Sequence, residues 1–169
     1  MAVAAGIDLE HAHAAIQAAI EAGEPSALRV LGYGEMTLVV GWPADAPAWA
    51  LKRLPPFAGE ARLEAYRGLL GEYLGALAAR GIAVAPTEFA ALPGPGGTHV
   101  GYLVQPLAPP GRMLDAFLRE APEPAGRAAL AAVVATVMQG VDERVALDGQ
   151  IPNWLLGADG VPQLVDVST

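Results

Sequence analysis

The sequence predicts an α+β fold: a five-stranded antiparallel sheet with one packed helix, followed by the beginning of a helical region. Three observations predict it. Five short strand-like runs fall in a group of three and a group of two. A long segment of helical periodicity separates the groups, and the last third holds two helix-like segments and a hairpin signal.

The elements follow in order. Over residues 7–22 the apolar positions Leu9, Ile16 and Ile20 share one helical face, with Asp8 placed to cap its start. Strand-like runs follow at 27–31, 36–42 and 49–54. The turn Gly32-Tyr33-Gly34 joins the first two, Pro43 to Pro47 joins the second pair, and Pro55-Pro56 ends the third. A helix over 59–80 carries Leu63, Tyr66, Leu70, Tyr73, Leu74 and Leu77 on one stripe, with Gly81 as its stop. Strands at 87–92 and 98–105 flank a Pro-Gly turn. A Pro-rich connector then leads to a short helix at 113–119 and a longer one running to Gly140. Leu130, Val134 and Met138 lie on one face of that longer helix, and Val133 and Val137 on another. A helix apolar over so much of its circumference is normally buried on several sides. Runs at 153–156 and 163–167 flank Gly157-Ala158-Asp159-Gly160, the hairpin signal.

Bulk properties narrow the function classes. The chain has 169 residues, 53% of them hydrophobic, enough for a core. A formal charge of −8 argues against nucleic acid or an anionic membrane surface as partner. The absence of cysteine excludes disulfides and thiolate metal sites and suits a reducing compartment. The first ten residues lack the features of a signal peptide, and no apolar run approaches the roughly 20 residues of a membrane helix. The expectation is a cytoplasmic protein.

The chemistry-bearing residues lie mostly near the C-terminus. Asp148 precedes Asn153 by five residues, with Pro152 between, and Asp166 follows Asn153 by thirteen, across the hairpin. Turn Asp and Asn residues also serve local hydrogen bonds, which accounts for each residue singly but not for the joint spacing. Upstream, Lys52 stands in Trp49-Ala50-Leu51-Lys52, near the end of the third strand-like run. His11 and His13, two apart on a helix, point about 200° from each other and are read as surface residues unable to share a metal. His99 is placed in a strand, and Trp42, Trp49 and Trp154 are read as core.

The Asp148 to Asn153 loop, the hairpin and Val165-Asp166-Val167 resemble the catalytic loop and metal-binding aspartate of the protein-kinase-like superfamily, in particular its aminoglycoside-phosphotransferase-like branch. Lys52 is similarly placed to the lysine of the V-A-I-K strand, and Gly32 and Gly34 to a glycine-rich phosphate turn. The resemblance implies an N-lobe over residues 1–105 and a hinge with partial C-lobe over 106–169. It implies an ATP- and Mg²⁺-dependent phosphotransferase acting on a hydroxyl of a small molecule or modified peptide, the alternative being a pseudokinase that binds nucleotide or scaffolds without turnover. Asp148 would orient the acceptor and take its proton, and Asn153 and Asp166 would hold magnesium. Lys52, Gly32 and Gly34 would meet the phosphates, and 104–107, with Gln105, would form the hinge beside adenine.

Four features depart from that pattern. Ala146-Leu147 stands before Asp148 where relatives carry His-Gly or His-Arg, and Val167-Ser168-Thr169 follows Asp166 where Phe-Gly is usual. Thr37 replaces a third glycine. Glu72 is the nominated partner of Lys52, yet it lies about 150° from the centre of the apolar stripe, and Glu64 about 130°, so both read as solvated charges. The chain also ends three residues past Asp166. The expectation is a fragment whose C-terminal half, a second chain or a homodimer covers the apolar helix.

Overall fold

The computed structural model describes residues 6–34 and 37–168. The architecture is α+β, and the chain divides into two compact units, Met1–Arg67 with Pro86–Leu107, and Gly68–Ala85 with Ala108–Thr169. The sequence suggests one boundary, at 105/106; the two units change over at 67/68, 85/86 and 107/108. The 68–85 segment, however, groups with the C-terminal residues and not with the sheet.

The first unit is built on a five-stranded antiparallel sheet in the order β1-β2-β3-β5-β4. Its strands are β1 (Arg29–Tyr33), β2 (Leu38–Trp42), β3 (Trp49–Arg53), β4 (Glu88–Pro93) and β5 (His99–Pro106). The expected meander thus covers β1 to β3, and β5 inserts between β3 and β4. The second strand was expected from Met36, which lies outside the described residues. The first begins two residues later than expected, because Pro25–Ala27 forms a 3-10 turn.

Helix α1 (Leu9–Ala22) starts where expected: the Asp8 carboxylate accepts from the His11 amide at 3.0 Å. This satisfies one of the donors a helix start leaves open. Ala12 and Ile16 are fully buried against Val40, Leu51, Val100, Tyr102 and Val104. Val40, Leu51 and Val104 are register partners across β2, β3 and β5, a single cross-strand row. Val100, Tyr102 and Val104 alternate onto the same face of β5. His13 is a correction: it is part-buried, its Nδ1 lying 2.8 Å from the Tyr102 hydroxyl. Burial, with the Arg53 charge adding to it, lowers the His13 pKa and favours the neutral ring. His11 is exposed and meets Trp42 edge-on. His99, in β5, lies 3.2 Å from a Glu60 carboxylate oxygen.

The second unit contains residues 68–79 of helix α2 (Glu60–Ala79), α3 (Leu114–Glu120), α4 (Glu123–Gly140) and the hairpin β6 (Trp154–Leu156) with β7 (Pro162–Leu164). α2 buries Leu63, Leu70 and Leu77, three of the six positions of the expected stripe, and Gly81 follows its end at φ +71°. The hairpin is shorter than expected at its far end, stopping at Leu164. Ala83 and Ala85 exchange backbone hydrogen bonds with Leu164 at 2.9 Å each, so the segment after α2 runs alongside β7. α4 buries Gly126, Ala129, Val133 and Gly140. Its other apolar face is open, with Leu130, Val134 and Met138 exposed by 40%, 53% and 77%. Among the described residues no helix is long and apolar enough to cross a membrane.

Candidate active site

In the second unit, ten residues link the end of α4 to the short 3-10 turn at Ile151–Asn153, and no helix or strand orders them. Side chains hold this loop instead. Asp142 Oδ1 accepts from the amides of Arg144 at 2.8 Å and Val145 at 2.9 Å, closing a local turn. Its other oxygen, Oδ2, accepts from the Arg80 guanidinium just past α2. The Arg80 bond and those two amides hold the Asp142 carboxyl down to about 2. Gly140 lets the end of α4 pack closely: a Cβ there would overlap the Ile82 side chain and lie 3.0 Å from Leu147 Cδ1.

Asp148 and Asp166 line one cleft of about 490 Å³, together with Tyr73, Ala146, Leu147 and Ser168. Each carboxylate also makes local bonds. Asp148 Oδ1 accepts from the Gln150 amide at 3.1 Å. Asp166 Oδ1 accepts from the Ser168 amide at 3.0 Å and from its hydroxyl at 2.7 Å. Asn153 is half-buried and is not part of the cleft wall, but its carbonyl accepts from the Val165 amide at 2.9 Å. The Asn153 turn is thereby bonded to the residue next to Asp166.

Two polar side chains of this cleft escaped the reading of the sequence as site residues, Tyr73 and Ser168. The signal for Tyr73 was present: it lies three residues after Leu70 and four before Leu77, on the buried stripe of α2. A buried-face tyrosine brings a hydroxyl that must find a partner. The Tyr73 hydroxyl donates to the Ala146 carbonyl at 2.9 Å. Burial raises its pKa, and the Asp166 and Asp148 carboxylates push the same way, so it remains a protonated donor. The neighbouring Glu72 is exposed, as its angular position predicted. Glu64 is exposed too and pairs with Arg67 at 3.2 Å.

The remaining candidates belong to the first unit. Lys52 is half-buried in β3, opposite Val39 and Leu103. Gly32 is not in a turn, as expected, but within β1 opposite Val39, beside a β-bulge after Val30. A bulge adds a residue to one strand and shifts where the turn begins. Gly34 follows the strand, donating to the Thr37 carbonyl at 2.9 Å, and a Cβ on it would overlap the Thr37 hydroxyl. Residues 104–106 remain paired within β5, and the Leu107 amide donates to the Ala48 carbonyl at 2.8 Å. The Gln105 side-chain amide donates to the Thr87 hydroxyl at 2.8 Å.

No curated protein matches the chain. Among solved structures it is similar to WaaP in complex with acyl carrier protein, with 21% sequence identity and a TM-score of 0.48. That similarity covers 85% of this chain and 62% of the other, so this chain spans less than two thirds of the length of that one. Residues 11–169 match a protein family described as a family of unknown function, DUF6206, and the chain belongs to it.

Proposed function

We propose that this chain is the sheet lobe and catalytic-loop part of a kinase-like phosphotransferase that uses ATP and Mg²⁺ and acts on a hydroxyl of a small molecule or modified peptide. The observation that carries the reading is the convergence of Asp148 and Asp166 on one cleft, with Asn153 bonded through its backbone to the neighbour of Asp166. Phosphoryl transfer demands little covalent chemistry of a protein beyond aiming the acceptor and neutralising charge. Asp148 is assigned to the acceptor hydroxyl, which it orients and from which it takes the proton. The Asn153 amide oxygen and Asp166 carboxylate are hard oxygen donors of the kind magnesium prefers, and magnesium commonly takes one or two carboxylates with phosphates and waters. Magnesium bound there would offset negative charge on the transferring group. Lys52 and the Gly32 to Gly34 backbone are assigned to the nucleotide phosphates, and Gln105 to the adenine edge.

Thermal melts with ATP and MgCl₂ test nucleotide binding. A ligand that binds only the folded state adds about 2.7 kcal/mol of stability at 100 times its Kd. Release of ADP in the presence of a panel of hydroxyl acceptors tests transfer. Asp148→Asn and Asp166→Ala should each abolish acceptor-dependent release. Activity retained by Asp166→Ala refutes the metal role, and no response of the folded protein to ATP refutes the reading as a whole.

The pseudokinase alternative is favoured by two specific features. Asp166 Oδ1 is already engaged by both donors of Ser168, and Ala146-Leu147 precedes Asp148. That reading predicts a nucleotide-dependent melting shift without ADP release at any acceptor.

A further inference from the structure

We propose that Tyr73 is a positioning residue, its hydroxyl holding the loop that carries Asp148 by donating to the carbonyl of Ala146, two residues upstream. The kinetic part of this inference rests on the phosphotransferase reading above; the conformational part does not.

Few other bonds hold the loop. Among the described residues, no backbone–backbone hydrogen bond involves Ala146, Leu147, Asp148 or Gly149. The nearest such bonds are Asp142 to Val145 on one side and Asn153 to Gln150 on the other. Asp148, Gly149 and Ala146 are exposed, so packing does little to restrain them. Leu147 is half-buried near Gly140 and supplies the apolar contact of the stretch. Asp148 Oδ1 accepts from the Gln150 amide within the loop, so it is the Tyr73 to Ala146 bond, at 2.9 Å, that ties this stretch to helix α2.

That helix is well anchored at this point. Leu70 and Leu77, on either side of Tyr73 along the same stripe, are 4% and 0% exposed. Just beyond α2, Arg80 bonds both the Ala76 carbonyl and Asp142. The loop is thus tied to the α2 region at two places, one near its start and one two residues before Asp148. The Arg80 tie acts on a turn that Asp142 already closes with its own side chain, whereas the Tyr73 tie acts at Ala146, which makes no backbone–backbone hydrogen bond among the described residues. Asp148 and Asp166 share the cleft with the Tyr73 ring, so a shift of Ala146 would alter the geometry of both carboxylates about a bound substrate.

The test is Tyr73→Phe, which keeps the ring on its stripe and removes only the hydroxyl. Two measurements are made on the whole chain. Backbone ¹⁵N relaxation without ligand reads the order of residues 146–149; rigid backbone has order parameters near ~0.85 and flexible backbone below ~0.6. Steady-state ADP release reads kcat and KM for ATP. The expected result is a loss of order confined to the loop, with kcat lowered roughly ten- to hundredfold and KM for ATP within about twofold of wild type, the pattern of a misplaced group in an intact site. Unchanged order parameters overturn the proposal, as does unchanged kcat in an active protein. Loss of order throughout the unit overturns it too, since Tyr73 would then be only a packing residue. If the wild-type chain binds no ATP and releases no ADP, the phosphotransferase reading fails, and the relaxation measurement alone decides whether Tyr73 holds the loop.

Discussion

Adding one methyl group should shift the stability of this protein in opposite directions at two sets of glycines, and the room around each position sets the sign. Gly101 lies buried in β5, opposite Ala91 of β4. A Cβ there would come within 2.8 Å of Phe57 Cε2 and 2.9 Å of Phe89 Cε2, well inside ordinary contact. Other side chains crowd both rings. Phe57 and Phe89 meet edge-on at 6.4 Å, Tyr66 packs on them at 5.1 and 5.4 Å, and the Arg67 guanidinium sits 5.3 Å from the Phe89 ring centre. Overpacking of this kind costs about 1–3 kcal/mol. In contrast, Gly68, Gly71 and Gly75 are exposed in the interior of α2, and a Cβ on any of them would meet nothing within 4 Å. Each Gly→Ala change there should add about 0.8–1 kcal/mol from helix propensity. A triple variant should therefore gain roughly 2–3 kcal/mol, partly by restricting the unfolded chain. For a protein of this size 1 kcal/mol moves Tm by about 2–4 °C. The triple variant should melt about 4–12 °C higher, and Gly101→Ala about 2–12 °C lower, by circular dichroism or calorimetry. A Gly101→Ala variant that melts at or above wild type with unchanged near-ultraviolet dichroism would show that the aromatic cluster yields freely. A triple variant that melts lower would mean that these glycines serve close approach.

Two further predictions concern the second unit. Leu77 is fully buried, so Leu77→Ala should cost about 2–5 kcal/mol in urea unfolding, read as a lower midpoint at unchanged slope. Asp142 has a pKa depressed from 3.8 to about 2 by Arg80 and two amides. Its contribution is therefore fully present above the unfolded value near 3.8 and is lost as pH falls through about 2. The stability difference between wild type and Asp142→Asn should hold constant above pH 4 or so and vanish toward pH 2, diminishing with added salt because the pair is exposed. A difference that persists at pH 2 would assign it to something other than the charge.

Much of this architecture could be read from local pattern. The stripe Leu63, Leu70, Leu77 announced α2, Asp8 its cap at α1, and Gly81 a stop, because each depends on residues within a few positions of one another. The hairpin around 157–160 was legible for the same reason. The strand boundaries were less so: Gly32 looked like a turn residue, and it is the bulge beside it that keeps it in β1. His13 looked like a surface residue because nothing nearby in sequence reveals that Tyr102, 89 residues away, supplies its hydrogen-bond partner.

The sequence by itself determined the order and type of the elements, the apolar faces of the two long helices, and the spacing of Asp148, Asn153 and Asp166. These are short-range properties, set by helix and strand periods and by turn chemistry. Only the tertiary structure decided that β5 would enter between β3 and β4, that the 68–85 segment would join the C-terminal unit, and that Tyr73 would reach the loop of Asp148. Hydrophobic alternation says which side of a strand or helix is buried but not what buries it. The identity of the neighbour is a long-range packing outcome, and the chemistry of the cleft depends on that neighbour.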